Sequence, residues 1–205
     1  MTNKIQDVQD DLAFLRALAD GPPLRWELFG QAYLAGGLIY GLQCLFHWGQ
    51  AQGWIVLSPM SSLIVSLGFT AVFLAVLAIM IWRRGRSPVL GMANRAISSA
   101  FAGVGLTNLV MVALFAAVAT RHHSLTIWMI YPAVVFALQG AAWLVAAMVR
   151  RRPWMTVIAI GWFGSTITLG LAIDTPAYIA VLGFSLLLWM ALPGALMMRQ
   201  APKAD

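Results

Sequence analysis

Six long apolar runs, approximately 28–48, 60–82, 97–119, 125–149, 154–173 and 177–198, alternate with short polar segments, and no charged residue falls inside any of them. A helix rises about 1.5 Å per residue, so about 20 residues match a hydrocarbon core of about 30 Å. Each run can therefore cross a bilayer. Lipid offers the backbone no hydrogen bonds, which restricts spanning structures to helices and closed barrels. The alternating segments of about ten residues that build a barrel are absent from the sequence. The pattern predicts an all-α, polytopic membrane protein with six transmembrane helices in one bundle, occupying residues 24–199. Ahead of it, residues 4–20 place Ile5, Val8, Leu12, Leu15 and Ala19 at alternating three- and four-residue spacing, as in an amphipathic helix. Gly21-Pro22-Pro23 ends that helix, so residues 1–23 form a separate cap and residues 200–205 a short tail.

Composition agrees with this reading: 61% of the 205 residues are hydrophobic and 10% charged, with a mean hydropathy of +0.82, far from the soluble average. Charge then orients the bundle. Lys4, Arg16 and Arg25 precede the first span, and Arg83, Arg84, Arg86 and Arg95 lie between the second and third. Arg150 to Arg152 follow the fourth, and Arg199 and Lys203 close the chain, leaving Arg121 alone on the other side. The positive-inside rule places both termini in the cytoplasm. The formal charge of +6 is thus a topology signal and not a nucleic-acid footprint.

The cap is acidic, with Asp7, Asp10, Asp11 and Asp20 against Lys4 and Arg16. Helices that lie on anionic lipid are usually basic, so this one is expected either to dock on the bundle's own cytoplasmic end or on a partner, or to stand as a solvated, partly frayed cap. The string D-L-A-F-x-R-x-L-A at Asp11 to Ala19, followed by a Gly-rich span ending in His47-Trp48, resembles the head of an uncharacterised family of small bacterial inner-membrane proteins. The resemblance implies a bacterial inner membrane. It implies no activity, cofactor or site residue.

Polar positions inside the spans are the candidate functional residues. In the first span Tyr33, Gly36, Tyr40, Gln43 and His47 share an arc of roughly 80° at 100° per residue. With Asn108 of span 3 and Gln139 of span 4, the residues Tyr40, Gln43 and His47 form either a polar seam that glues helices together or the lining of a pore. Asn108 and Gln139 are the expected partners of Gln43. Gly37, Gly41, Gly105, Gly161 and Ser165 supply small surfaces where helices can approach closely. Cys44, His47, His122 and His123 are plausible zinc or copper ligands by residue type, but their spacing matches no metal motif. No cofactor is expected. Pro132 and Pro193-Gly194 mark breaks or kinks in spans 4 and 6.

Absences narrow the function. Coupled carriers and voltage sensors place charged side chains in the membrane, and the six runs hold none. No Ser–His, paired-Asp or H-E-x-x-H arrangement is legible, which disfavours intramembrane hydrolysis. Two classes remain. The first is a non-enzymatic accessory or regulatory bundle that binds the lipid bilayer, a membrane-protein partner or itself. The second is an uncoupled channel or facilitator for a small or amphiphilic solute, with a metal- or haem-binding protein as a more distant alternative.

Overall fold

A computed structural model describes residues 26–83 and 92–200. The amphipathic cap, most of the arginine-rich segment after span 2 and the tail lie outside the described residues. Among the described residues every regular element is helical. They are α1 (Trp26–Ala51), α2 (Pro59–Arg83), α3 (Met92–His122), α4 (Leu125–Arg150), α5 (Pro153–Leu171) and α6. The last is a continuous rod built from Tyr178–Leu186, a π-helical turn at Leu187–Ala191 and Leu192–Gln200. Five helices, α2 to α6, are long and apolar enough to cross a membrane. At 26 residues α1 is equally long, but Gln31, Gln43, His47 and Gln50 make it more polar.

Local chemistry sets the ends. Gly53, at φ 75°, closes α1. Its N–H bonds to Gln50 C=O at 3.0 Å and the Trp54 N–H to Gly49 C=O at 2.9 Å, the double bond of a Schellman motif. Ser124 opens α4 by accepting the Ile127 N–H. Between α4 and α5, Arg151 adopts φ 52° and Pro153 begins the next helix, where its missing N–H costs nothing.

The helices are threaded so that neighbours in space run α2, α1, α6, α5, α4, α3. Thus α1 lies against the whole of α6, α6 against α5, α5 against α4 and α4 against α3. Glycine makes the first contact as close as it is. A Cβ on Gly37 would fall 2.3 Å from the Ala191 nitrogen, and one on Gly194 would fall 2.4 Å from the Leu34 nitrogen. Backbone thus meets backbone, as small residues permit in membrane helices.

The widened turn of α6 lies in the same contact. Pro193 has no N–H, and its ring would strike the carbonyl of Trp189 in a regular α-helix. The chain swells instead, and the Leu192 N–H bonds to Leu187 C=O, five residues back. The rod therefore stays continuous at the break expected from Pro193-Gly194. Pro132 of α4 is accommodated differently. It disturbs the carbonyls one turn earlier, and Tyr178 of α6 donates its hydroxyl to Met129 C=O at 2.5 Å.

The core lies among α1, α4, α5 and α6, where Trp143, Ala146, Ala159 and Leu169 are fully buried. By contrast, none of the residues in the most apolar stretches of α2 and α3 is buried. Among the described residues α2 leans on α1, α3 leans on α4, and these two outer helices do not pack along one another.

Candidate functional site

Three polar constellations lie between the helices. Near the end that carries the termini, Tyr33 of α1 is buried at 5% exposure. Its hydroxyl donates to Gln139 Oε1 at 2.7 Å and accepts the indole N–H of Trp143 at 2.7 Å. Gln139 and Trp143 stand four apart on α4, hence on one face, so a single hydroxyl satisfies two positions of the same stripe. Phe29, Phe101 and Trp143 surround the Tyr33 ring with centroids 5.2, 6.2 and 5.5 Å away. Phe101 brings α3 against α1 at this level. The Trp162 indole nitrogen from α5 is also buried and makes no well-formed hydrogen bond among the described residues. Beyond this cluster Arg150 Nη2 donates to Asn94 Oδ1, tying α4 to α3.

At the opposite end a second network joins α1 to α2. His47 Nε2 lies 3.0 Å from Ser66 Oγ, and His47 Nδ1 lies 2.9 Å from Gln50 Oε1. Ser62 Oγ donates to Gln50 at 3.1 Å. Ser66 spends its one hydroxyl proton on Ser62 C=O at 2.8 Å, so the imidazole must supply the proton of the Ser66 contact. With the amide as placed, Oε1 accepts from Ser62 and from Nδ1 of the cation; in the neutral ring Nδ1 accepts, and the amide must turn so that its –NH2 donates to Nδ1 and to Ser62 Oγ. This Ser–His–Gln order has the distances of a nucleophile, base and orienter. It lacks the rest of such a site: Ser66 lies inside α2, where neighbouring backbone N–H groups are consumed by the helix and none is free to hold an oxyanion.

The third constellation is midway along α1. The Tyr40 ring packs on Phe73 of α2 at 4.9 Å. Tyr131 of α4 donates to Asn108 Oδ1 of α3 at 2.7 Å and stacks on Trp128 at 5.4 Å.

The sequence-predicted residues therefore separate. Gln43 reaches neither Asn108 nor Gln139. Its amide donates to Ser66 C=O at 3.5 Å, the limit of a hydrogen bond. His47 belongs to the α1–α2 network, Tyr40 packs on Phe73, Asn108 accepts from Tyr131, and Gln139 binds Tyr33. Of the small residues, Gly37, Gly41 and Gly161 stand at helix contacts and Ser165 is buried, while Gly105 has nothing within 4 Å. Cys44 faces Gly183 of α6, whereas His47 faces α2. His122 and His123 are exposed at the end of α3. Among the described residues no three of His, Cys, Asp and Glu gather as metal ligands would.

Participants not singled out from sequence include Ser62, Ser66, Gln50, Trp143 and Tyr131. For Trp143 a signal existed, its four-residue spacing from Gln139. The Ser66–His47 meeting had none, because nothing in the sequence states which face of α2 meets α1.

A small hydrogen-bond loss is expected for Gln43→Leu. Its contact is long and ends on a carbonyl already inside a helix, so thermal unfolding in detergent should move by less than about 0.5 kcal/mol equivalent. His47→Ala removes two shorter contacts and should cost about 1 kcal/mol.

The fold and these sites define a multi-pass helical membrane bundle. No family model matches the chain, and neither a curated protein nor a solved structure matches it.

Proposed function

We propose that the chain crosses a bacterial inner membrane six times, with both termini in the cytoplasm, and serves as a non-enzymatic accessory or regulatory bundle for a membrane-protein partner or a second copy. The observation that carries this reading is the separation of the polar residues. Three of the constellations' polar groups find partners in local helix contacts, as interhelical glue does: Tyr33 with Gln139 and Trp143, Tyr131 with Asn108, and His47 with Ser66. A solute pathway needs its polar groups in continuous succession, and these lie in three places. The crossing by α1 is supported by its close packing along the full length of α6, itself apolar enough to span. The orientation is supported by the twelve basic residues on one side. The partner is supported by α3, where Gly103 and Gly105, on two different sides of the helix, each have open space beside them.

Cysteines placed singly at 43, 108 and 139 in a Cys44→Ala background test the reading. A membrane-impermeant maleimide should leave all three unlabelled in intact cells. Labelling of any two from outside would replace the bundle with a channel.

A further inference from the structure

We propose that the corner where α3, α4 and α5 meet, at the end carrying the termini, is a docking surface for an anionic phospholipid; this rests on the reading of these helices as spans and not on the partner proposed above. Its anchor is the Arg150–Asn94 hydrogen bond, which fastens the last turn of α4 to the first turn of α3. Arg95 follows Asn94, and Arg151 and Arg152 follow Arg150, so the bond gathers three further arginines from two distant segments at one corner. Arg151 and Arg152 alone link α4 to α5, so neither can swing far from it.

These charges are not neutralised locally. Residues 92–173 contain no Asp or Glu, so α3, α4 and α5 supply no counter-charge of their own. Arg95, Arg151 and Arg152 are exposed and make no ion pair among the described residues.

Depth and chemistry then select the occupant. α5 begins at Pro153, and its 19 residues rise about 28 Å, close to a hydrocarbon core of about 30 Å. The Arg151-Arg152 link therefore lies at the edge of the core, at the level of lipid phosphates. A guanidinium offers its N–H groups in a planar fork that matches phosphate oxygens in pairs. About one turn into the bilayer from the link, Met148 of α4 and Val157 of α5 are 71% and 57% exposed. A phospholipid meets both levels at once, its phosphate on the arginines and its acyl chains on Met148 and Val157. An acidic segment of a soluble protein would meet only the first. A zwitterionic headgroup brings a cation of its own toward the arginines, so a headgroup of negative charge is selected.

The full-length protein in a mild non-ionic detergent, incubated with equal amounts of phosphatidylglycerol and phosphatidylcholine of the same acyl chains, tests this by native mass spectrometry of the retained lipid. Phosphatidylglycerol should be retained preferentially. Arg95→Gln, Arg151→Gln and Arg152→Gln should each weaken that retention about fivefold, the equivalent of about 1 kcal/mol per arginine near a membrane surface. Arg121→Gln, at the far end of α3, should leave it unchanged. Arg152→Lys keeps the charge that orients the chain, and keeps the test readable if the glutamine variants fail to fold; it should still weaken retention, because an ammonium cannot grip two oxygens in one plane. Equal retention of the two lipids, or equal loss in Arg121→Gln, would overturn the proposal. A phosphatidylglycerol preference that appears only when Asp7→Asn, Asp10→Asn and Asp11→Asn are combined would overturn it in favour of the chain's own acidic segment. Maleimide labelling at 43, 108 and 139 reports separately on the bundle, so the two readings can fail independently.

Discussion

Gly37→Ala is expected to cost about 3 kcal/mol and to reduce the yield of folded protein sharply, more than any single polar substitution in the bundle. The added Cβ would lie 2.3 Å from the Ala191 nitrogen and 2.8 Å from its Cα. Those atoms are backbone, held in the π-helical turn, and cannot rotate aside. Relief requires separating α1 from α6, and overpacking of this kind ordinarily costs about 1 to 3 kcal/mol. The same change at Gly161 meets only the Trp189 ring, which has rotamers to use, and should be milder. At Gly105, with nothing within 4 Å, alanine should be neutral or slightly stabilising, since it is the better helix former by about 1 kcal/mol. Folded yield by size-exclusion chromatography and unfolding in detergent check the series. Equal effects at 37 and 105 would show that α1 and α6 are not in backbone contact.

Tyr33→Phe comes second. Removing one oxygen leaves the fully buried Trp143 indole N–H without its acceptor and Gln139 without its donor. A buried group left unsatisfied costs about 1 to 3 kcal/mol, and polar contacts in membranes measure toward the lower end. The expected loss is therefore about 2 kcal/mol. A double-mutant cycle with Gln139→Leu isolates the coupling, since residues sharing one bonded network deviate from additivity. The pair should cost less than the two singles together, because the second substitution removes a partner already orphaned. Strict additivity would mean that Tyr33 acts by packing alone.

The contrast between Tyr33 and Gln43 shows how far sequence reasoning reached into the site. Both lie on the same polar face of α1, and the sequence points to a partner for Gln43 alone. Tyr33 faces α4 and finds two groups spaced for it, while Gln43 faces α2 and finds only a carbonyl already bonded within its helix. Helical periodicity assigns residues to a face of one helix. It carries no information about which helix lies opposite, and α1 is packed by α6 on one flank and α2 on another. For the same reason His47 and Cys44, three apart and a natural pair on paper, face different neighbours.

The outer helices offer a second instance. α2 carries the most apolar stretch of the helices, and hydrophobicity alone would place such a helix at the centre of a soluble protein. Here lipid is the solvent, so a strongly apolar helix can lie at the periphery, and apart from Asn94 and Ile97 of α3 the buried positions among the described residues belong to α1, α4, α5 and α6.

What the sequence determined by itself is the all-helical, membrane-spanning class and the approximate extent of α2 to α6, because run length and absence of charge act locally, residue by residue, against a solvent of known thickness. Tertiary structure alone decided that α1 docks on α6 backbone to backbone, that Pro193 widens the rod without breaking it, and that the polar stripe of α1 divides among three neighbours. Those outcomes depend on which surfaces meet. Contacts between residues distant in the chain are set by the summed packing of all the helices, and no local pattern encodes that sum.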